Sequence, residues 1–272
     1  MTKFVDSIFV KKMCKVTANM YRLGWDERNG GNISYRLTED DVHGFEDNQE
    51  VKRTLSVDFD CTQLTGAYFL VTGTGKYFSD ISDEPERDLG LVRIEPSGDV
   101  SLLWGYNDGG NPTSEFPSHL MSHLERMKHD KEQRVIMHCH PTHFIGMTFT
   151  HDLDEKALTK TLWKMQSESL VVFPDGVGVI PWMVPGTSLI GEATASKMAE
   201  FHLVTWPHHG IFAAGTSIEE TFGLIETVEK AAQIWTVVQA QGGAIKQEIT
   251  DQELQDLADR FHVIARPGYL DL

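Results

Sequence analysis

The sequence predicts an α/β fold in which helices are layered around a largely antiparallel sheet. Two turn signals near the middle of the chain, Pro-Ser-Gly-Asp at 96–99 and Pro-Asp-Gly at 174–176, each separate two short apolar runs, which is the pattern of a β-hairpin. Segments with apolar residues at three- and four-residue steps lie at both ends of the chain, as in amphipathic helices. Hairpins join antiparallel neighbours and helices bury their apolar stripe against a sheet, so these patterns together favour α/β layers.

The first elements are indicated by periodicity and by a glycine. Residues 4–23 are predicted to form a helix, because Met13, Val16 and Met20 recur on one helical face and Gly24 follows as a C-terminal cap. Residues 33–37 alternate between apolar and polar types, which predicts a half-buried strand. Residues 38–66 are acidic and irregular, and they are predicted to lie on the surface.

The remaining elements follow from short apolar runs and capping patterns. Capping boxes at 217–220 and 250–253 open the last two predicted helices. Further strands are predicted at 68–71, 89–94, 100–104, 134–140, 170–173, 177–180, 203–206 and 211–214, and further helices at 116–127, 155–166, 188–200, 217–241 and from 250 onward. Because neither an internal repeat nor a long linker is found, a single domain of residues 1–272 is expected.

The composition excludes several classes of protein. The 272 residues include 24 Lys+Arg and 40 Asp+Glu, and the resulting net charge of −16 argues against a basic face for nucleic acid or an anionic membrane. Three cysteines cannot form a disulfide framework and favour reduced thiols. The N-terminus lacks a signal-peptide pattern, and the longest apolar stretch, 170–184, is too short and interrupted to span a bilayer. We therefore expect a cytoplasmic protein that holds any phosphate through backbone N–H groups, hydroxyls or a metal.

Histidine placement indicates a divalent metal site. His138 and His140 lie two residues apart in a predicted strand, so their imidazoles point to the same side, while Cys139 faces the core. The pair His208-His209 between two later strands offers a third imidazole, and Glu115 at a helix start offers a carboxylate. Three imidazoles with one exchangeable ligand form an open site, which Lewis-acid catalysis requires.

Simpler interpretations of these residues stay open. A His-X-His pair usually binds nothing, Glu115 is also favoured in a first helical turn by the helix dipole, and spacing does not separate His208 from His209. His119 and His123, four apart on a predicted helix, are equally consistent with a metal site and with a satisfied core position.

Two glycine-rich turns are candidates for holding an anion. Asn-Gly-Gly-Asn at 29–32 and Thr-Gly-Thr-Gly at 72–75 let successive backbone N–H groups converge on one oxyanion, and their Asn and Thr side chains add neutral donors. Lys76 either assists in binding the anion or is simply an exposed lysine. Both segments are equally consistent with plain connecting turns.

Five motifs in order resemble the class II aldolase/adducin family: residues 29–32 after a first helix, Thr-Gly-Thr-Gly-Lys at 72–76, Pro-Thr-Ser-Glu at 112–115, His-Cys-His at 138–140 and His-Gly at 209–210. The resemblance implies a three-layer α/β/α fold. Segments 24–32, 135–140 and 170–186 are most similar to members that split L-rhamnulose 1-phosphate reversibly into dihydroxyacetone phosphate and L-lactaldehyde. The family resemblance also implies that the protein is a homotetramer.

The resemblance further implies the site residues and one Zn²⁺ per subunit. His209 is preferred to His208 because the family's ligand directly precedes the glycine, and Thr74 stands where Ser is usual but retains a hydroxyl. Carried over by position, the metal ligands are His138, His140 and His209, the acid/base residues are Glu115 and Glu168, and the phosphate contacts are Asn29, Gly31, Asn32, Thr74 and Ser114.

The implied chemistry explains these residue types. Breaking the C3–C4 bond leaves negative charge on C3 beside the C2 carbonyl, where a divalent cation stabilises it without a lysine Schiff base. One base must take the O4 proton, and this role is assigned to Glu168. One acid must protonate C3, and this role is assigned to Glu115.

Several rival hypotheses remain for the function of the chain. They are a fuculose-phosphate aldolase, a pentulose-phosphate 4-epimerase, a thioribulose-phosphate dehydratase, a metallohydrolase and a non-catalytic adducin-like module.

Overall fold

The computed structural model describes residues 2–272, and within them nine strands form one sheet. The strands are β1 (Asn32–Leu37), β2 (Arg53–Leu55), β3 (Tyr68–Thr72), β4 (Leu89–Ile94), β5 (Val100–Gly105), β6 (Val135–Cys139), β7 (Gly178–Val179), β8 (Leu203–Trp206) and β9 (Gly210–Gly215). Their order across the sheet is β2-β5-β4-β3-β1-β6-β9-β8-β7. Neighbours pair antiparallel except β7 and β8, which are parallel, so the predicted largely antiparallel sheet is confirmed.

The helices cover both faces of this sheet. They are α1 (Ile8–Leu23), α2 (Glu39–Val42), α3 (Pro85–Asp88), α4 (Phe116–His129), α5 (Thr142–Thr150), α6 (Glu155–Met165), α7 (Ser167–Val172), α8 (Ser188–Met198), α9 (Ile218–Ala240) and α10 (Asp251–Phe261), with short 3₁₀ turns at Phe4–Asp6 and Thr62–Leu64. None of the helices within residues 2–272 is long and apolar enough to cross a membrane.

The alternation of side chains along the strands divides the buried residues between the two faces of the sheet. Ile33 of β1 and Leu70 of β3 belong to the larger core, which also takes in the apolar faces of α1, α5, α6, α9 and α10. Phe69 on the opposite face of β3 packs with α4, and Phe212 of β9 packs with α8. One helix layer therefore lies on each side of the sheet, which is the predicted α/β/α arrangement.

The pairing of the strands at the centre of the sheet brings the candidate site residues together. Asn32, the first residue of β1, lies opposite His138 near the end of β6, and His138 lies opposite Phe212 of β9. At the end of β3, Gly73 bridges to Pro112, which brings the second glycine-rich turn beside the start of α4. The ends of three neighbouring strands and the N-terminus of one helix thus meet at one place.

One prediction about the chain is wrong and another is correct only in part. The hairpin predicted at 170–180 is instead the short helix α7 followed by β7, which pairs in parallel with β8. A four-residue apolar run fits a buried helical turn as well as a strand, and here Leu170 is buried while Val172 is exposed. Segment 38–66 is not wholly on the surface, because it supplies edge strand β2 and buries Cys61 and Leu64 in the core beside α4.

Candidate metal centre and adjoining cavity

Three imidazoles converge at the end of the central strands. His138 lies in β6, His140 directly follows it, and His209 lies in the turn that joins β8 to β9. One ring nitrogen from each lies within 4.8 Å of the others. The Nε2 atoms of His138 and His209 are 3.4 Å apart, close to the ~3.3 Å expected for two nitrogens bound tetrahedrally at about 2.0–2.1 Å from zinc.

The outer ring nitrogens of two of the three histidines are held by hydrogen bonds, so that the inner nitrogens face the third ring. His138 Nδ1 donates to the carbonyl oxygen of Ile211 at 3.0 Å, and His140 Nδ1 donates to the Glu27 carboxylate at 3.0 Å. His140 Nε2 is buried and has no hydrogen-bond partner within residues 2–272. Burial and the neighbouring His140 lower the pKa of His209 to about 4, so this ring is neutral near pH 7. Neutral lone pairs converging on one point repel one another unless a cation lies between them, so the donor set fits a divalent metal.

Packing holds the His138 ring in place, and the backbone at Gly210 approaches the triad closely. The His138 ring stacks on Phe212 at 4.8 Å and lies tilted against Trp206 at 5.0 Å. A Cβ atom at Gly210 would lie 2.2 Å from the carbonyl oxygen of Cys139 and 3.1 Å from the rings of His138 and His140. This close approach gives a physical reason for the glycine that follows His209.

Glu115 brings a buried carboxylate to the triad. It lies at the N-cap position of α4, and its Oε2 is 3.8 Å from His138 Nε2. The same oxygen accepts a hydrogen bond of 2.8 Å from the Asn32 amide. Burial raises the pKa of Glu115, while the bond from Asn32 opposes that rise. A carboxyl group with these properties can hold and release a proton beside a metal.

A cavity of about 230 Å³ adjoins the triad and collects most of the predicted site residues. It is lined by Asn29, Gly30, Gly31, Asn32, Gly73, Thr74, Gly75, Thr113, Ser114, Glu115, His138, His140, Pro185 and His209. This lining includes all five predicted phosphate contacts, and it contains no Lys or Arg from the described chain. Lys76 instead pairs with Asp88 and Asp108. An anion in this cavity would therefore be held by backbone and neutral side-chain donors.

The first glycine-rich turn depends on its glycines. Gly31 has φ +72°, and a Cβ there would lie 1.7 Å from Asp26 Oδ1. A Cβ at Gly30 would lie 2.8 Å from the His140 ring. Because L side chains rarely adopt this φ and neither position has space, only Gly-Gly lets the turn pass this close to the metal centre.

Four predicted candidates lie outside this arrangement. Glu168 is in the first turn of α7, is exposed and does not line the cavity. His208 is turned away from the triad, with its backbone N–H bonded to Thr148 Oγ1 at 3.0 Å. His119 and His123 are buried in the core beside the cavity and are not part of the metal cluster.

Glu27 is a site residue that the sequence alone did not single out. It belongs to the 24–32 motif, but only tertiary structure places its carboxylate on His140 Nδ1.

Replacing Glu27 with alanine is expected to weaken Zn²⁺ affinity about 10–100-fold, because a carboxylate behind a metal-binding imidazole orients the ring and raises its basicity. Competition with a chromophoric chelator measures this, with Glu50→Ala, which removes another exposed carboxylate, as the control. An unchanged affinity in Glu27→Ala would show that His140 needs no such support.

The chain is similar in sequence to one protein family and to named proteins within it. Residues 11–236 match the model of the class II aldolase and adducin N-terminal domain. The chain is 58% identical over 273 residues to the rhamnulose-1-phosphate aldolase of Listeria monocytogenes, with 100% of both chains covered. It is 54% identical over 264 residues to the rhamnulose-1-phosphate aldolase of Enterococcus faecalis, which covers 97% of this chain and 94% of that relative.

Solved structures show a similar fold. The crystal structure of a sugar-phosphate aldolase from Thermotoga maritima matches with a TM-score of 0.75 and 31% identity, covering 86% of this chain and 95% of that one. An L-fuculose-1-phosphate aldolase from Thermus thermophilus matches with a TM-score of 0.56 and 19% identity, covering 88% and 97% of the two chains. At that low identity, the second match concerns the fold alone.

Proposed function

The chain belongs to the class II aldolase and adducin family, and from this premise we propose that it splits L-rhamnulose 1-phosphate reversibly into dihydroxyacetone phosphate and L-lactaldehyde, using one Zn²⁺ per subunit. Membership confirms the resemblance drawn from the sequence. The protein is a lyase, because it is 58% and 54% identical over nearly its whole length to two rhamnulose-1-phosphate aldolases. The observation that carries the proposal is the convergence of His138, His140 and His209 with Glu115 on a cavity lined by both glycine-rich turns.

The three imidazoles and the carboxylate define where the metal would sit. His138, His140 and His209, which all line the cavity, would hold zinc. A bound zinc ion is a Lewis acid and stabilises negative charge that develops beside a carbonyl group.

The phosphate would be bound at the glycine-rich end of the cavity. Asn29, Asn32, Thr74 and Ser114 supply side-chain donors there, and Gly31 supplies close access to the backbone. The phosphate lies far from the breaking bond, so its binding energy serves to orient the sugar chain relative to the metal and Glu115.

Glu115 is proposed to move the proton at C3. When the C3–C4 bond breaks, its electron pair stays on C3 and the O4 proton leaves as the aldehyde carbonyl forms. The Glu115 carboxyl then donates its proton to C3, which completes dihydroxyacetone phosphate. Burial favours the protonated carboxyl that this step requires.

The base that takes the O4 proton stays a prediction. Glu168 is our candidate, yet its exposed side chain does not line the cavity of its own chain. It can therefore take part only if a movement of the chain or a second copy presents it to the substrate.

The predicted homotetramer also belongs to this proposal. Trp182, Val184 and Leu189 are large exposed apolar residues, and they flank Pro185 on the cavity wall. Their exposure supports an interface between copies beside the site. A monomer in light scattering at micromolar concentration would contradict the tetramer.

Three further predictions belong to this proposal. They are a single domain of residues 1–272, a cytoplasmic location and the absence of a nucleic-acid partner.

A coupled assay of dihydroxyacetone phosphate release tests the proposed reaction. With zinc present, we expect steady release from L-rhamnulose 1-phosphate, much slower release from L-fuculose 1-phosphate and none from L-ribulose 5-phosphate. Faster release from L-fuculose 1-phosphate would reassign the substrate, and epimerisation of L-ribulose 5-phosphate would reassign the reaction. A protein that binds zinc and releases nothing from any of these substrates would contradict the proposed lyase activity.

A further inference from the structure

From the cavity wall into the core, five buried polar side chains are joined in one line of hydrogen bonds. Asn32 Nδ2 donates to Glu115 Oε2 at 2.8 Å, and His119 Nε2 lies within hydrogen-bond distance of Asn32 Oδ1. On the far side of His119, the Ser34 hydroxyl lies 2.8 Å from His119 Nδ1 and 2.8 Å from His123 Nε2. We call this line, Glu115-Asn32-His119-Ser34-His123, the buried relay.

The chemistry of each group allows one pattern of donors along the buried relay. Glu115 Oε2 accepts this bond both when the group is ionised and when it carries its proton on Oε1, so Asn32 presents its NH₂ group to Glu115 and its carbonyl to His119. His119 then donates through Nε2–H, and its bare Nδ1 accepts from the Ser34 hydroxyl. The Ser34 oxygen in turn accepts from His123 Nε2–H. Burial lowers the pKa of His119 to about 3 and that of His123 well below its usual value, so both rings are neutral and carry one N–H each.

Burial leaves the inner members of the relay, Ser34, His119 and His123, without partners in water. Ser34 and His119 have no exposed surface, His123 is 1% exposed and Asn32 is 6% exposed. The His119 ring packs on Phe212 at 5.3 Å and the His123 ring on Phe69 at 5.0 Å, so neither ring turns freely. Flipping the Asn32 amide would place its carbonyl against Glu115 and its NH₂ against His119 Nε2–H, which leaves buried donors unpaired.

We propose that His119, itself oriented by Ser34, is a positioning residue that holds the Asn32 amide with its NH₂ group toward Glu115. The Glu115 carboxylate is thereby kept at the cavity wall beside His138 rather than free to rotate. This inference deepens the proposed function and rests on it, because Glu115 is the group assigned to protonate C3. It also assigns a role to the two buried histidines that the metal site does not use.

A pair of substitutions at His119 separates positioning from packing. His119→Gln keeps an N–H donor near the Nε2 position, whereas His119→Leu has none, and both remove the ring. We expect similar losses of Tm, full zinc content in both, and a kcat about tenfold or more below wild type in His119→Leu only, since small misplacements of reacting groups cost up to about 10²-fold. KM for L-rhamnulose 1-phosphate should change far less than kcat. Equal loss of kcat in both variants would overturn the proposal.

A second pair keeps the test decisive if His119→Leu does not fold. Ser34→Ala should lower kcat, and Ser34→Thr, which restores the hydroxyl, should recover it. Ser122→Ala is the matched control, because Ser122 is a fully buried serine on α4 whose hydroxyl donates to the carbonyl of Ser118 and lies outside the relay. If Ser34→Ala has the kcat of Ser122→Ala, the proposal is wrong.

A spectroscopic readout does not depend on the reaction. In ¹⁵N–¹H spectra of the zinc-loaded protein labelled at histidine, the ring signal lost in His119→Gln should be the Nε2–H tautomer with an unprotonated Nδ1. The opposite tautomer would overturn the buried relay. An inactive wild-type protein that shows the expected tautomer would instead contradict the proposed function and leave the hydrogen-bond assignment correct.

Discussion

Replacing His138 with alanine is expected to abolish zinc retention and to slow cleavage of L-rhamnulose 1-phosphate by at least about 10³-fold. Charge stabilisation by a bound metal contributes several kcal/mol, and each 1.36 kcal/mol corresponds to about a tenfold rate change. Two imidazoles and a carboxylate do not replace the missing ligand, because His138 lies at the centre of the cluster, within 3.8 Å of Glu115 and 3.4 Å of His209. Metal analysis of protein purified without chelator and the coupled assay measure the two effects.

The controls for His138→Ala address folding and specificity. His138 is 1% exposed and packs on Phe212, so its removal also creates a cavity in the core. His209→Ala removes a half-buried ring and should lose zinc with a smaller loss of Tm. His208→Ala alters the neighbouring histidine, which lies outside the triad, and should keep its zinc. Full zinc content in both His138→Ala and His209→Ala would show that the three rings do not form the site.

Replacing Glu115 with glutamine is expected to lower kcat about 10²–10⁴-fold while zinc stays bound, which is the range for loss of a general acid or base. Glutamine has the size of glutamate, and its carbonyl oxygen can still accept the bond from Asn32 Nδ2, so the cavity wall should be preserved. An amide cannot transfer the proton to C3. Initial rates of dihydroxyacetone phosphate release, together with zinc content, check this.

A glutamate on the same helix provides the control for Glu115. Glu125 on α4 pairs with Lys128 at 2.6 Å, away from the cavity, and Glu125→Gln should leave kcat within about twofold of wild type, as for most surface substitutions. A Glu115→Gln enzyme with wild-type kcat would remove Glu115 from the proton transfer. Loss of zinc from Glu115→Gln would indicate instead that its carboxylate is needed to hold the metal.

Local patterns in the sequence predict much of the site because the relevant chemistry is local. The period of two in a strand places His138 and His140 on one side, and Pro-Thr-Ser-Glu before a helical run places Glu115 at the start of α4. The long helices with clear three- and four-residue periodicity are found where predicted. The buried, unpaired thiol of Cys139 is also as expected from the same alternation.

The parts that sequence reasoning missed depend on contacts between distant segments. The hydrogen bond between His140 and Glu27 spans 113 positions, and the bond between His119 and Asn32 spans 87. Spacing alone gives no signal for such contacts, which follow from the register of β1 against β6 and the packing of α4 on the sheet. The choice between His208 and His209 likewise depends on a backbone turn, since His208 has φ +61° and points away from the triad.

Restoring activity to metal-free protein with measured amounts of Zn²⁺ tests the metal-dependent mechanism most directly. Protein treated with chelator should release no dihydroxyacetone phosphate from L-rhamnulose 1-phosphate. Release should then rise in proportion to added Zn²⁺ and reach a plateau at one equivalent per chain. Release at the full rate from protein shown to contain no metal, or no release after one equivalent has bound, would contradict a mechanism built on His138, His140 and His209.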